Sequence, residues 1–173
     1  MPIVDLYPQP FAIQSSSKVS ENMAGLFVGG EKVKCLINVQ AKGLDDSAGS
    51  IYRMFRDLEP NIHPIMMLYA CSALGTGASY SNGVYNSGFG GALVNTTVFA
   101  ATLDFAAALA DLMPGVAKSG MTAVAIANRT KRLYEHIGVA QGKQKRTYDI
   151  ALTSITPGAS AGTIVGMLLY TEE

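Results

Sequence analysis

The chain predicts a mainly all-β fold, a β-sandwich of which the jelly roll is one form, with one or two short helices and an extended N-terminal arm. Three observations predict it. Short runs with an apolar/polar period of two recur along the chain, 18 glycines punctuate them, and only two stretches have helix-forming composition. With 173 residues the chain can bury one substantial core. We divide it into an arm over residues 1–22 and a single sandwich domain over residues 23–173.

In the arm, Pro2, Pro8 and Pro10 discourage regular structure and Ser15, Ser16 and Ser17 offer no apolar face. Ile3, Val4, Leu6, Tyr7, Phe11 and Ile13 nevertheless make it too apolar for a solvated tail. It either packs along its own domain or reaches a neighbouring subunit, and the residues alone leave both readings open. After Gly29 and Gly30, residues 32–40 alternate, with Val33, Cys35, Ile37 and Val39 on the face expected to be buried. Their expected partner is the strand over residues 50–58, reached through the turn-rich segment 43–49.

Residues 63–71 are more continuously apolar, as in a strand covered on both faces. A Gly-rich region over 75–85 carries small, aromatic and amide residues, and residues 88–94 read as a turn followed by a short strand. The Ala- and Leu-rich run 102–113 predicts a helix started by Thr102 or Asp104 and stopped by Pro114-Gly115. A second helix is expected over 125–137, with Lys131, Arg132, Glu135 and His136 outward and Leu133, Tyr134 and Ile137 inward. Gly138 supplies its left-handed end. Residues 147–155 and 163–171 read as two strands of a hairpin turning at 156–162.

Thirteen basic and thirteen acidic side chains give a net charge of zero, so the field that would gather nucleic acid or an anionic membrane is missing. Only 15% of residues are charged and 49% are hydrophobic, against about 25% charged in an ordinary soluble domain. Both facts point to a surface covered by a partner. Cys35 and Cys71 each sit in an apolar run, where a thiol behaves as a small hydrophobe; their spacing does not fix whether they pair. The start of the chain lacks a cationic and apolar leader, so synthesis in a reducing cytosol is expected. The apolar window 98–116 is interrupted by Asp104 and Asp111, which argues against a membrane span.

Gly158-Ala159-Ser160-Ala161-Gly162 matches the spacing of a nucleophile elbow. An elbow needs a strand-to-helix turn to expose its serine, and here a strand-like run follows. His63 and His136 come with no nucleophile and orienting group nearby in sequence, and no close Cys/His ligand spacing occurs. Asp45-Asp46 reads as a turn rather than a calcium loop. Glycines 75, 77, 88, 90 and 91 lack the lysine of a phosphate cradle. Asn95-Thr96-Thr97 and Asn128-Arg129-Thr130 fit the glycosylation pattern, without the secretory signal that would give it meaning. Lys131, Arg132, Lys143, Lys145 and Arg146 read as a solvated basic face. The expectation is a protein that is not an enzyme and holds no cofactor or metal.

The order of Ser50-Ile51-Tyr52-Arg53, Pro60-Asn61, the apolar run 65–70, Gly75-Thr76-Gly77-Ala78-Ser79-Tyr80, Asn82-Gly83-Val84-Tyr85, Val98-Phe99-Ala100 and Leu103-Asp104 resembles virion structural proteins of tailed bacteriophages. Residues 131–135, Gly138, 148–153 and 161–165 continue the resemblance, which spans residues 30–171 through collinearity rather than one specific motif. It implies a capsid decoration, or cement, protein: a β-sandwich that forms a homo-oligomer, dimer or trimer, and binds the major capsid protein outside the shell at junctions between capsomers. Such a protein would be made in the host bacterial cytoplasm, sit on the virion surface, bind neither nucleic acid nor membrane, and have no catalytic residues. Met66, Met67 and Leu68 followed by Tyr69-Ala70-Cys71 depart from that pattern, as does the apolar arm. A tail or baseplate subunit therefore stays open, as does a carbohydrate-binding adhesion module using Tyr80, Tyr85 and Asn82. The candidate interface residues are Tyr7 and Phe11 on the arm and Tyr80, Tyr85 and Phe89 on the Gly-rich loops.

Overall fold

The alternating runs become strands in the computed structural model, which describes residues 5–6, 27–28, 31–109, 112, 117–145 and 147–172. The strands are β1 (Asp5–Leu6), β2 (Phe27–Val28), β3 (Glu31–Lys42), β4 (Ile51–Leu58), β5 (His63–Cys71), β6 (Ser79–Asn86), β7 (Leu93–Asp104), β8 (Lys118–Ser119), β9 (Tyr148–Thr156) and β10 (Gly162–Thr171). They form two five-stranded sheets, ordered β1-β4-β9-β6-β7 and β2-β3-β10-β5-β8. Leaving aside β1 and β2, all pairs are antiparallel: β10 with β5 and β9 with β6 join the ribbon to itself, and along the ribbon β3 pairs with β10, β4 with β9, β5 with β8 and β6 with β7. Each pair nests inside the one before it. That is one long antiparallel ribbon rolled into two facing sheets, a jelly-roll sandwich.

The rolling overturns two expected pairings. β3 does not pair with β4, and β9 does not form a hairpin with β10, because in both cases the connection crosses from one sheet to the other. Residues 43–50 make the first crossing, where Asp46 accepts from the Gly43 N–H at 2.8 Å and the Tyr52 hydroxyl at 2.7 Å. Residues 157–161 make the second: the Ser160 N–H donates to the Leu74 carbonyl at 3.1 Å, and the Ser160 carbonyl accepts from Lys42 Nζ at 2.9 Å. A turn of small residues between two strands therefore contains Ser160. The backbone at β1 lies parallel to β4, Asp5 opposite Ile51. The arm's remaining residues, Tyr7 and Phe11 among them, lie outside the described residues.

Between the sheets lies one apolar core, in which Tyr52, Phe55, Tyr69, Tyr80, Phe99, Phe105, Ile150, Leu152, Ile164 and Leu168 are buried. One wall of this core is not apolar. β3 turns Leu36, Asn38, Gln40 and Lys42 inward, so over residues 35–42 the side expected to be solvated faces the core and Cys35, Ile37 and Val39 face out, whereas Val33 is buried as expected. The cause lies on the facing strand, where the register of β4 against β9 shifts between Arg53 and Phe55 and leaves Met54 as an extra residue. That bulge puts both Met54 and Phe55 into the core and turns two backbone carbonyls toward β3. Asn38 Nδ2 donates to the Met54 carbonyl at 2.7 Å, and Gln40 Nε2 donates to the Arg53 carbonyl at 3.1 Å. Amides are required on the inner face of β3 because carbonyls without a donor would otherwise be buried.

The first expected helix is absent from the described residues: β7 runs on through Thr102 to Asp104, and Leu109 makes an isolated bridge to Cys71. Propensity is overridden there by pairing with β6, which places Leu103 and Phe105 in the core. The second contracts to a 3₁₀ turn at Ile126–Asn128 and α1 at Leu133–His136. Leu133 and Tyr134 are buried beneath α1, and Gly138, at φ +71°, ends the segment as expected. Cys35 and Cys71 are free thiols on strands flanking β10.

His136 does not lie wholly on the wet side. Its ring meets Phe99 edge-on at 5.3 Å between centroids, and its Nε2 is buried with no hydrogen-bond partner. Burial first, then the charge of Lys131 and the proximity of His63, hold its pKa below the ordinary 6.5, against an opposing pull from Glu135.

Two predictions follow from this packing. Gln40→Leu makes the interior more apolar yet should lower the unfolding free energy by about 1–3 kcal/mol, because the Arg53 carbonyl loses its donor. In urea the midpoint should fall at constant slope, and an unchanged midpoint would show that the amide does not hold the bulge. For His136, the unfolded chain takes up a proton at a pH where the folded chain does not. Stability present above pH 6.5 is therefore lost as pH falls through that value toward the lower folded pKa. His136→Phe should flatten the stability profile just below pH 6.5, and a variant profile parallel to wild type would remove His136 as its source.

Candidate functional site: an apolar sheet face and a pinned loop

Inward amides on β3 have a direct consequence for the opposite side of the strand, because side chains alternate with a period of two. Leu169 of β10 lies between Cys35 and Met66, Met167 between Ile37 and Leu68, and Val165 between Val39 and Ala70. Between these residues the outer face of β3-β10-β5 is thus an apolar grid, bounded along β10 by Thr163 opposite Ala41 and Thr171 opposite Val33. Leu68 and Ala70 are already buried in the subunit, whereas Ile37 is 54% exposed. Cys35, Val39, Met66, Val165, Met167 and Leu169 are half-buried. A solvated strand face ordinarily carries polar residues at these positions, so an apolar one is a candidate contact surface.

The outer face of the other sheet is closed by the chain itself. Three residues of β6, from Asn82 to Val84, are matched by six of β7, from Asn95 to Ala100. The surplus folds over the sheet. Gly83 permits this: a Cβ there would stand 2.1 Å from the Asn95 carbonyl oxygen. Beside it the loop of residues 87–92 is fastened by an ion pair, Arg53 Nη1 to Asp149 Oδ2 at 2.8 Å, with both side chains fully buried. Arg53 also donates to the carbonyls of Asn86 at 3.1 Å and Gly91 at 3.0 Å, and its guanidinium stands 5.3 Å from the Tyr85 ring centroid. Asp149 Oδ1 accepts from the Ser87 hydroxyl at 2.8 Å and from the Asp57 N–H at 2.9 Å. The Asp57 backbone has a left-handed φ of 54°.

This base carries the tip Gly88-Phe89-Gly90. Both glycines have positive φ, and the Phe89 side chain is 85% exposed. Phe89 is therefore a surface residue on a loop with a fixed base. Tyr80 and Tyr85 are placed differently. Tyr80 lies in the core between Tyr52 and Phe105, its hydroxyl donating to the Pro157 carbonyl at 3.3 Å, and burial pushes its pKa up. Tyr85 lies under the pinned loop, with its hydroxyl 2.6 Å from that of Thr153. Neither presents its ring as an anchor. Asn82 is also buried, joined to the Gly120 carbonyl at 2.8 Å and the Tyr69 hydroxyl at 3.2 Å. The three residues read as a carbohydrate platform thus belong to the interior.

Arg53 and Asp149 escaped the sequence reading, although a signal was present. Asp149 is the single charge of β9 and Arg53 stands between the apolar Tyr52 and Met54, and charges so placed need one another when both strands are central.

No family model matches the chain, and no curated protein does. Among solved structures the chain is similar to one in "Cyanophage Pam1 capsid asymmetric unit", at 15% sequence identity and a TM-score of 0.45, covering 87% of this chain and 91% of that one. A likeness of that degree carries neither fold nor function across.

Removing one member of the buried pair tests how the loop is held. Asp149→Ala should cost about 3–5 kcal/mol, because it leaves the Arg53 guanidinium buried and unpaired. The double variant Arg53→Met with Asp149→Leu removes both charges and should recover most of that loss in thermal or urea unfolding. Equal instability of the single and double variants would show that packing rather than charge fixes the site.

Proposed function

We propose that this chain is a structural subunit of a bacteriophage virion, and more narrowly a protein that binds the outside of the capsid and reinforces contacts between capsomers. The observation that carries the reading is the apolar outer face of β3-β10-β5, held in that orientation by amides on the inner side of the same strand. Such a face costs solubility in a free monomer and gains binding energy when a neighbouring subunit covers it. The jelly roll, a fold found in viral capsid domains among others, and the collinear resemblance to phage virion proteins support the same reading. Its partners would be the major capsid protein and other copies of this chain. No catalytic step enters.

The mechanism is mechanical. Packaged DNA pushes capsomers apart, and apolar surface buried across a junction must be re-exposed before the junction opens. Purified protein mixed with heads of the virus that encodes it should saturate at a fixed number of copies per shell, counted after gradient sedimentation. Ile37→Lys should reduce occupancy at sub-saturating protein by tenfold or more, since every 1.4 kcal/mol is a factor of ten and an unpaired buried lysine costs more than that. Binding that ignores the charge, or no binding at all, would remove the proposal.

A further inference from the structure

We infer that the segment carrying α1 is an acid-released clasp: when His136 takes up a proton, residues 130–139 lift off the sandwich while its two sheets stay folded. The device is independent of the assembly reading, and it gives a place to the stability that His136 withdraws at low pH. Three observations carry it. The segment is fastened to the turn before β5 by two backbone hydrogen bonds, from the Leu133 N–H to the Ile62 carbonyl at 2.9 Å and from the Tyr134 N–H to the Pro60 carbonyl at 3.0 Å. A helix of four residues does not persist without such support.

The second observation is the end of α1. His136 lies edge-on to Phe99 of β7, and its buried Nε2 has no hydrogen-bond partner among the described residues. A proton there would be a buried donor with nothing to receive it, on a ring charged against an apolar wall. The third is His63, the chain's other histidine, which holds the start of the same segment as a neutral ring. His63 Nδ1 stands 3.0 Å from the Thr130 carbonyl, which can only accept. The lone pair is therefore on Nε2, where Arg132 Nε donates at 3.4 Å. A doubly protonated His63 would set N–H against N–H at that contact.

The surroundings of His136 fix the sign. Burial of the ring and then the charge of Lys131 act against a positive charge, as does His63, while Glu135 and a hydrogen bond to the Lys131 backbone pull the other way. Phe99 brings no charge from β7. The docked ring thus has a lower pKa than the 6.5 of an open segment. As pH falls below 6.5 the opening constant rises, by up to about tenfold per pH unit for one proton, until the docked ring is itself protonated. Opening unseats Leu133 and Ile137 from the core and uncovers Phe99.

Hydrogen exchange on the full chain reads the clasp directly, because the Leu133 and Tyr134 amides make the docking bonds. Measured over about pH 5 to 8 and corrected for the intrinsic exchange rate, these two amides should open about tenfold or more above the amides of β9 and β10, which await global unfolding. Their opening constants should rise by about threefold or more, starting just below pH 6.5. His136→Phe keeps an aromatic ring against Phe99 and should abolish the rise, and the double variant with His63→Gln, which has no histidine left, should be flat. Should neither variant fold, the His136 ring proton in wild type decides by nuclear magnetic resonance: a midpoint below 6.5 is expected, and one at or above it overturns the inference. So would opening equal to that of β9 and β10, or a rise that survives His136→Phe. A rise confined to the acid end, toward the ordinary carboxylate value of about 4.3, would likewise overturn it, since it would belong to Glu135, whose carboxylate accepts the Arg132 N–H at 2.7 Å.

Discussion

Two side-chain amides reaching across the sandwich determine what this molecule shows to the outside. Asn38 and Gln40 supply donors to the Met54 and Arg53 carbonyls freed by the β4 bulge. A strand offers only two faces. Once its polar residues are committed to the interior, Cys35, Ile37 and Val39 have nowhere to go but outward. The usual economy of a sandwich, apolar in and polar out, is reversed on this strand because an unmade hydrogen bond to a buried carbonyl costs as much as burying an aliphatic side chain returns. The flanking strands then extend the apolar surface through Val165, Met167 and Leu169 on one and Met66 on the other.

The other sheet solves its outer face in the opposite way, by covering it with its own chain. The surplus residues of β7 cross over Gly83, and the adjoining loop is tied down through Arg53 and Asp149. A buried ion pair is a poor source of net stability, because desolvating both charges offsets most of their attraction. What it supplies here is position. The guanidinium fixes two loop carbonyls and the carboxylate fixes a hydroxyl and a strained backbone N–H, so a loop rich in glycine acquires a defined base. One face covered by its own loops, the other apolar and partly exposed at Ile37, gives the subunit a distinguishable front and back.

How much of this the sequence disclosed follows from the range of the interactions involved. Strand existence is local, set by alternation and turn glycines, and the β-rich class with its C-terminal strands could be read directly. Partner choice is not local: the segments 43–50 and 157–161 look like hairpin turns because nothing in them says that they cross between sheets. The inverted face of β3 was hidden for the same reason, since the reason for inward amides sits in the bulge of a strand in the other sheet. The Ala-rich stretch after Thr102 looked helical because propensity there is stronger than pattern, and only pairing with β6 shows Leu103 as a core residue. Of the aromatics taken as interface candidates, Phe89 between its glycines is exposed, whereas Tyr80 and Tyr85, in an equally Gly-rich neighbourhood, are buried. Spacing to glycine cannot separate the tip of a loop from the strand that leads into it.

A charge balance of zero takes on a specific meaning in this setting. Net like-charge repulsion between copies is absent, so it does not oppose a weak apolar attraction. Weakness is then an advantage. A subunit whose single contacts are loose stays dispersed while it is dilute, and it is retained only where several contacts form together, as on a lattice that presents its neighbours at fixed spacing. An apolar face large enough to pair strongly in solution would spend itself on premature aggregates. The partial burial of the grid, with Leu68 and Ala70 already covered and Ile37 more than half exposed, limits the attraction that such a face can supply.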